Sequence, residues 1–235
     1  MENVEIKKAD GFKCKFCNRE FKSVRTLSAH TCEQKRRHTS KNEKYVQLGY
    51  RAFQRFHELN STAIKPTPKT FEEFRQSQFY LGFTKFGKFA QEVNCLQHED
   101  FVNWLVRNNL KLDDWIKDGA YELFVREYTR GERAEYALER SVKFMQRWSE
   151  KENTHWHDFF REVNLNIFTY WIRTGRISPW AIFNCRSGTE VLARLSDEQM
   201  GLVADALDPK VWSTRFEVSP DETRFVQNIL IKAGL

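Results

Sequence analysis

A short string near the N-terminus constrains this chain more than anything that follows it. Residues 12–30 read Phe-x-Cys-x2-Cys-x3-Phe-x5-Leu-x2-His, with Phe12, Cys14, Cys17, Phe21, Leu27 and His30 at the marked positions. A Cys-x2-Cys turn converges two thiolates on one ion, and twelve further residues bring a helical imidazole opposite them. The apolar positions supply the small core that packs between a hairpin and a helix. The spacing therefore predicts a ββα zinc finger holding one structural Zn2+, with its hairpin over residues 11–21.

The fourth ligand departs from the usual pattern. A second His three to five residues after His30 would fall at 34–36, which are Gln34, Lys35 and Arg36. The alternatives are Cys32 and His38. On an unbroken helix His38 would lie about 12 Å along the axis from His30 at 1.5 Å per residue, too far for one ion with bonds of roughly 2 Å. Cys32 is near enough, but positions i and i+2 project to nearly opposite sides of a helix. The helix must end or unwind at about Thr31 for Cys32 to turn inward. A Cys14, Cys17, His30, Cys32 set is the favoured reading, with His38, or a three-ligand site completed by water, as the alternatives.

The residues facing outward say what such a finger can read. Its base-reading positions, at −1, 3 and 6 of the helix, are Ser23, Thr26 and Ala29. None offers the Arg, Lys, Asn or Gln that discriminates bases. One finger also spans only about three base pairs. Charge points instead to the phosphate backbone. Residues 1–44 carry twelve Lys and Arg against six Asp and Glu, an excess of six that equals the whole chain's net charge of +6. The candidate phosphate contacts are Lys13, Lys15, Arg19, Lys22, Arg25, Lys35, Arg36, Arg37 and Lys41. A solvated basic arm with no particular partner is the plainer alternative.

Behind the finger, composition describes a folded body. Hydrophobic residues make up 40% of the chain and aromatics 14%, including twenty Phe and seven Trp, and about 190 residues suffice for one sizeable core or two small ones. No apolar run approaches the roughly 18 residues needed to span a bilayer, and the charged N-terminus is unlike a secretory signal. Cys95 and Cys185 lie far apart, so a disulfide framework is not expected and a cytoplasmic location fits.

Periodicity reads helical almost throughout. Tyr45, Leu48, Ala52, Phe53, Phe56 and Leu59 mark an amphipathic helix over 42–60, with Gly49 signalling close packing or a kink. Pro66 and Pro68 mark a linker. Thr70 and Glu73 form a capping box, as do Ser196 and Gln199, while Ser178-Pro179, Asp208-Pro209 and Ser219-Pro220 are cap-plus-proline starts. The expected fold is mainly α: a finger and basic arm (1–40), a connecting helix and linker (41–65), and an all-α multi-helix domain (66–235), the body containing about nine to eleven short helices.

Several constellations in that body admit a chemical reading beside a structural one. His155-Trp-His157 could bind metal, but its helical surroundings favour surface or capping duty. Cys95 and His98 could pair as thiolate and imidazole, yet no third orienting group is evident, so a loop before a helix is the better reading. Asp113, Asp114 and Asp118 suit helix starts. Phe79, Tyr80, Phe83, Phe86 and Phe89, interleaved with Lys85 and Lys88, could stack bases, but their spacing is that of a buried face. Arg173, Arg176 and Trp180 flank Gly175, either as a second basic contact or as a tight corner. No phosphate-cradling Gly-rich loop or His-Glu-x2-His is present, so an enzyme is not expected; a nuclease is the remaining enzymatic reading.

Five strings carry a likeness extending over essentially the whole length: Phe12-Lys-Cys-Lys-Phe-Cys17, His30-Thr-Cys-Glu-Gln-Lys-Arg-Arg37, Leu48-Gly-Tyr-Arg-Ala-Phe-Gln-Arg-Phe56, Phe83-Thr-Lys-Phe-Gly87 and Thr174-Gly-Arg-Ile-Ser-Pro-Trp180. In these the chain resembles a group of zinc-finger proteins of unknown function from T4-like tailed bacteriophages. The resemblance implies a phage protein acting in the host cytoplasm and supplies no activity. Two functions remain open: a DNA- or RNA-binding accessory protein directed at the phosphate backbone, and an adaptor gripping a host or phage protein of the replication or transcription machinery.

Overall fold

The computed structural model describes residues 12–235, so Lys7 and Lys8 of the basic arm, and residue 11 of the expected hairpin, lie outside it. The described residues form fifteen α-helices, three short 3-10 turns and one two-stranded hairpin, the mainly α fold that periodicity indicated. They divide into two compact units, one ending at Glu92 and the other running Val93–Leu235.

The first unit begins with β1 (Phe12–Lys13) and β2 (Glu20–Phe21), antiparallel with Phe12 opposite Phe21. Helix α1 (Val24–Ala29) follows, opened by Ser23, whose hydroxyl accepts the Thr26 amide. Then come α2 (Glu33–Thr39), α3 (Lys44–Leu59), α4 (Phe71–Gln76) and α5 (Tyr80–Glu92). The Thr70–Glu73 capping box forms as the sequence indicates. Segment 60–70 contains no helix or strand.

That proline-bearing segment is not where the units divide. Helix α3, expected as a connector, is instead a core element of the first unit, because two glycines let it lie almost directly on α5. A Cβ on Gly87 would sit 1.9 Å from the Tyr45 carbonyl oxygen, and one on Gly49 would sit 2.4 Å from that of Phe83. These pairings run in opposite directions along the two helices, so α3 and α5 are antiparallel. Around the seam Phe53 packs edge-on to Phe83 at 5.5 Å and tilted to Phe74 at 5.2 Å, with Phe74 4.9 Å from Tyr80. Tyr80, Phe83, Phe86 and Phe89 are buried and only Phe79 of that aromatic run is exposed, so the stripe is core rather than a stacking platform.

The second unit is built of α6 (His98–Arg107), α7 (Asp118–Gly131), α8 (Ala134–Glu152), α9 (Phe159–Glu162), α10 (Leu165–Arg173), α11 (Pro179–Phe183), α12 (Arg186–Leu192), α13 (Asp197–Val203), α14 (Pro209–Val218) and α15 (Pro220–Lys232). Its core gathers Leu138 and Met145 of α8 with Phe159, Phe168, Trp180 and Trp212. From residue 66 onward there are twelve α-helices, beyond the nine to eleven expected. The unanticipated one is α12, opened by Cys185, whose sulfur accepts the Gly188 amide in the role a serine oxygen would otherwise fill. The starts at Ser178, Ser196 and Asp208 carry the expected side-chain caps. Ser219 differs: its hydroxyl is taken by Arg215 at 2.9 Å, and Pro220 starts α15 without it. Among the described residues no helix is long and apolar enough to cross a membrane.

The α3–α5 seam gives a direct test of the fold. Gly87→Ala should destabilise the protein by more than about 2 kcal/mol, since relief of the backbone clash requires the helices to part. Gly119→Ala, on α7 with nothing within 4 Å of the new methyl, should be neutral or stabilise by up to about 1 kcal/mol. Chemical denaturation of the two variants reads both values, and equal effects would refute the tight seam.

Candidate metal centre

Cys14 follows β1 and begins a tight turn: its amide donates to the Arg19 carbonyl at 2.9 Å, and its own carbonyl accepts the Asn18 amide at 2.8 Å. Asn18 takes the left-handed conformation this turn requires, with φ of 60°. The turn places the Cys17 sulfur beside the first thiol. Opposite, α1 ends after six residues. His30 leaves it with an extended backbone (φ −71°, ψ 122°), and Cys32 is also extended (φ −97°, ψ 164°) before α2 begins. The break at His30–Thr31 resolves the geometric conflict in the sequence, because two residues that would diverge on a continuous helix now face the same point.

The metal-binding atoms of Cys14, Cys17, His30 and Cys32 all lie within 4.8 Å of one another, and Cys17 Sγ is 3.3 Å from His30 Nε2. Tetrahedral ligands at roughly 2.3 Å from an ion are separated by about 3.8 Å, so slight contraction brings all four onto one metal ion. Cys14 is buried, His30 and Cys32 are half-buried, and Cys17 is exposed. His38 is not in the cluster. It lies in α2, with its ring 5.0 Å from that of Phe16. Among the described residues this is the one group of three or more His, Cys, Asp or Glu side chains close enough to share an ion.

Electrostatics suit a cation. The backbone amides of Phe16 and Cys17 hold the Cys14 thiol below its ordinary range. At Cys17 the Arg19 amide pulls the other way from burial and the Cys14 and Cys32 sulfurs, and these together raise it. So close together, the Cys14 and Cys17 sulfurs resist joint ionisation, and a bound cation would remove that resistance. The Cys32 sulfur accepts the Lys35 amide at 3.4 Å, which orients it as the cap of α2.

Around the cluster, α2 bolts the finger to the helices behind it. Arg75, only 7% exposed, donates to Gln34 Oε1 at 2.7 Å and to Glu72. Arg37 donates to Glu33 at 2.9 Å and to the Arg75 carbonyl at 2.8 Å, and lies 4.4 Å over the Tyr80 ring. Lys35 donates to the His30 carbonyl at 3.1 Å. Two of the nine candidate phosphate contacts, Lys35 and Arg37, are therefore occupied in holding the fold. Lys13, Lys15, Arg19, Lys22, Arg25, Arg36 and Lys41 are exposed, with no carboxylate partner among the described residues. Sequence reasoning missed Arg75, because nothing in its own helix signals a partner forty-one residues earlier.

The other constellations take structural places. His155 caps a 3-10 turn, its Nδ1 accepting the His157 amide at 3.3 Å. Helix α6 starts at His98, and burial pushes the Cys95 thiol up to about 12, which leaves it neutral. Asp113, Asp114 and Asp118 occupy first turns. At the Gly175 corner Arg173 pairs with Glu122 at 2.7 Å and Trp180 is fully buried.

The ligand set predicts a clear division between two variants. Cys32→Ala should lose tight binding of one metal ion per chain, read by elemental analysis after dialysis, whereas His38→Ala should retain it. Retention in the first and loss in the second would assign the fourth position to His38. Comparison of the chain with protein-family models, curated proteins and solved structures gives no match, so the reading of this centre rests on its own residues.

Proposed function

We propose that the ion is a structural Zn2+ and that the finger it orders is a nucleic-acid-binding element directed at the phosphate backbone. Three cysteine sulfurs and one imidazole are a donor set that Zn2+ favours in closed structural sites. The carrying observation is the group of seven exposed cations, from Lys13 to Lys41, on and beside the segments whose ends the four ligands join. Unpaired surface cations concentrated on one metal-braced scaffold suit phosphates, with affinity falling steeply as salt rises.

Low sequence preference follows from the same helix. The Ser23 and Thr26 hydroxyls lie 3.1 Å apart, and Ser23 is committed to capping the helix it starts. Ala29 offers no hydrogen bond to a base. Two of the three base-reading positions are thus engaged locally, and the third is apolar. The resemblance to phage zinc-finger proteins would set this activity in the cytoplasm of an infected bacterium.

A second reading, the protein adaptor, is favoured by a cavity of about 340 Å³ on the finger lined in part by Phe16, Val24 and Leu27, with Val24 60% exposed. Backbone binding remains the primary reading because the residues around that cavity include the exposed Lys13 and Lys15.

Binding to labelled DNA and RNA across a salt series tests the proposal. Affinity should fall by orders of magnitude between low and moderate salt, and should be lost on zinc chelation. Lys22→Gln with Arg25→Gln should flatten the log-affinity against log-salt slope for duplex DNA by about 0.9 per lost contact without lowering the melting temperature. Arg37→Gln should instead lower the melting temperature. Salt-independent or undetectable binding to both nucleic acids would overturn the proposal, and a protein partner that survives nuclease treatment but is lost with Cys14→Ser would favour the adaptor.

A further inference from the structure

The geometry points to a second ligand site, in the 93–235 unit, that takes the phosphoryl group of a nucleotide on a cluster of arginines and its base in the adjoining aromatic groove. It does not rest on the finger. A cavity of about 190 Å³ lies at the corner after α10, where Gly175 turns the chain with φ of +72°. Arg140, Arg147 and Arg176 all line it, and no carboxylate does among the described residues.

The three guanidinium groups are not equivalent. Arg140 is fixed: Glu132, whose side chain is 2% exposed, binds it through two nitrogens, one at 2.7 Å, and its Nε donates to the Gly175 carbonyl at 2.7 Å. That pair is internally neutral and serves as the floor. Arg147 and Arg176 have no carboxylate partner among the described residues. Arg176 lies over the rings of Tyr170 at 5.4 Å and Phe144 at 5.9 Å, which hold its plane in position. Its Nε is buried without a hydrogen-bond acceptor, and its Nη2 has only a long contact of 3.4 Å to the Val93 carbonyl. Arg176 is half-buried, and a buried N–H such as its Nε is costly to leave without an acceptor. Cys95, also at the cavity, adds no negative charge, since burial pushes its thiol up to about 12.

Arg140, Phe144 and Arg147 recur at helical spacing on α8, so one face presents them together. The same Phe144, Arg147 and Arg176 also border a groove of about 760 Å³, into which Trp148 and Trp171 add aromatic surface. This volume falls in the ~300–1,000 Å³ range of small-molecule clefts. Arginines in fork geometry match phosphoryl oxygens, and the rings beside them suit a base. The groove's carboxylates, Glu150, Glu152 and Glu162, are exposed and border only its larger part, where they offer acceptors to base amino groups.

The full chain carrying Lys22→Gln and Arg25→Gln, which removes finger contacts, provides the test. Inorganic phosphate, adenosine monophosphate and a short single-stranded oligodeoxynucleotide are titrated by calorimetry and tryptophan fluorescence. The monophosphate should bind more tightly than inorganic phosphate and quench tryptophan emission. Arg147→Gln should weaken it roughly tenfold at an unchanged melting temperature, and Arg176→Gln should weaken it further. Oligonucleotide binding that is tighter than monophosphate binding and is weakened by Arg147→Gln identifies a strand as the source of the phosphoryl group, and tighter binding of the monophosphate identifies a free nucleotide. No binding, equal affinity for inorganic phosphate and monophosphate, or indifference to both substitutions would overturn the site. Because Arg147 and Arg176 lie outside the finger, the response to their substitution is separate from the fate of backbone binding by the finger.

Discussion

The architecture of the first unit depends on a helix that stops early. Had α1 continued past Ala29, Cys32 would point away from Cys14, Cys17 and His30, and the ligands would number three. The stop at His30–Thr31 brings the fourth ligand atom within 4.8 Å of the others. It also begins a new helix, α2, at the cluster itself. Cys32 has two structural jobs, as candidate ligand and as the cap that orients α2. Metal binding and the placement of everything attached to α2 are thereby coupled through a single sulfur.

This coupling accounts for a finger that is not a freely tethered module. Phe16 of the Cys-x2-Cys turn meets His38 of α2, and Arg37 and Arg75 exchange contacts between α2 and α4. Helix α4 shares a core with α3 and α5 through Phe74, and the close approach of α3 and α5 depends on Gly49 and Gly87. The segment bearing the candidate metal ligands is thus supported by a conventional aromatic core, and the proline-bearing stretch after α3 interrupts neither.

Much of this was legible in the sequence, for physical reasons that can be named. Ligand spacing and the i, i+2 argument together select Cys32 and require a helix break, because both follow from fixed helix geometry. Capping boxes and cap-proline pairs located helix starts because they satisfy local backbone donors. Division of the chain was not legible: Pro66 and Pro68 report local conformation, while the α3–α5 seam is a contact between residues nearly forty apart in sequence. Helix α12 was missed because a cysteine occupies a capping position usually held by oxygen. The arginine cavity was visible only as Arg176 beside Gly175, since Arg140 and Arg147 arrive from another helix.

Counting cations in a sequence overstates the charge available to a ligand, and the structure shows why. Arg37, Arg75, Arg140 and Arg173 each reach a carboxylate and are committed to the fold. Lys22, Arg25, Arg147 and Arg176 have the same formal charge but no carboxylate within reach among the described residues. What separates the groups is not residue type but the acceptors that neighbouring elements present. The second group occurs in two places with different surroundings, the exposed surface of the finger and a cavity with aromatic walls. Water screens each exposed contact on the first, so the proposed binding there would need many phosphates at once. At the cavity, where Arg176 is half-buried between aromatic rings, partial desolvation would strengthen each bond to a phosphoryl oxygen, so the proposed ligand there can be small.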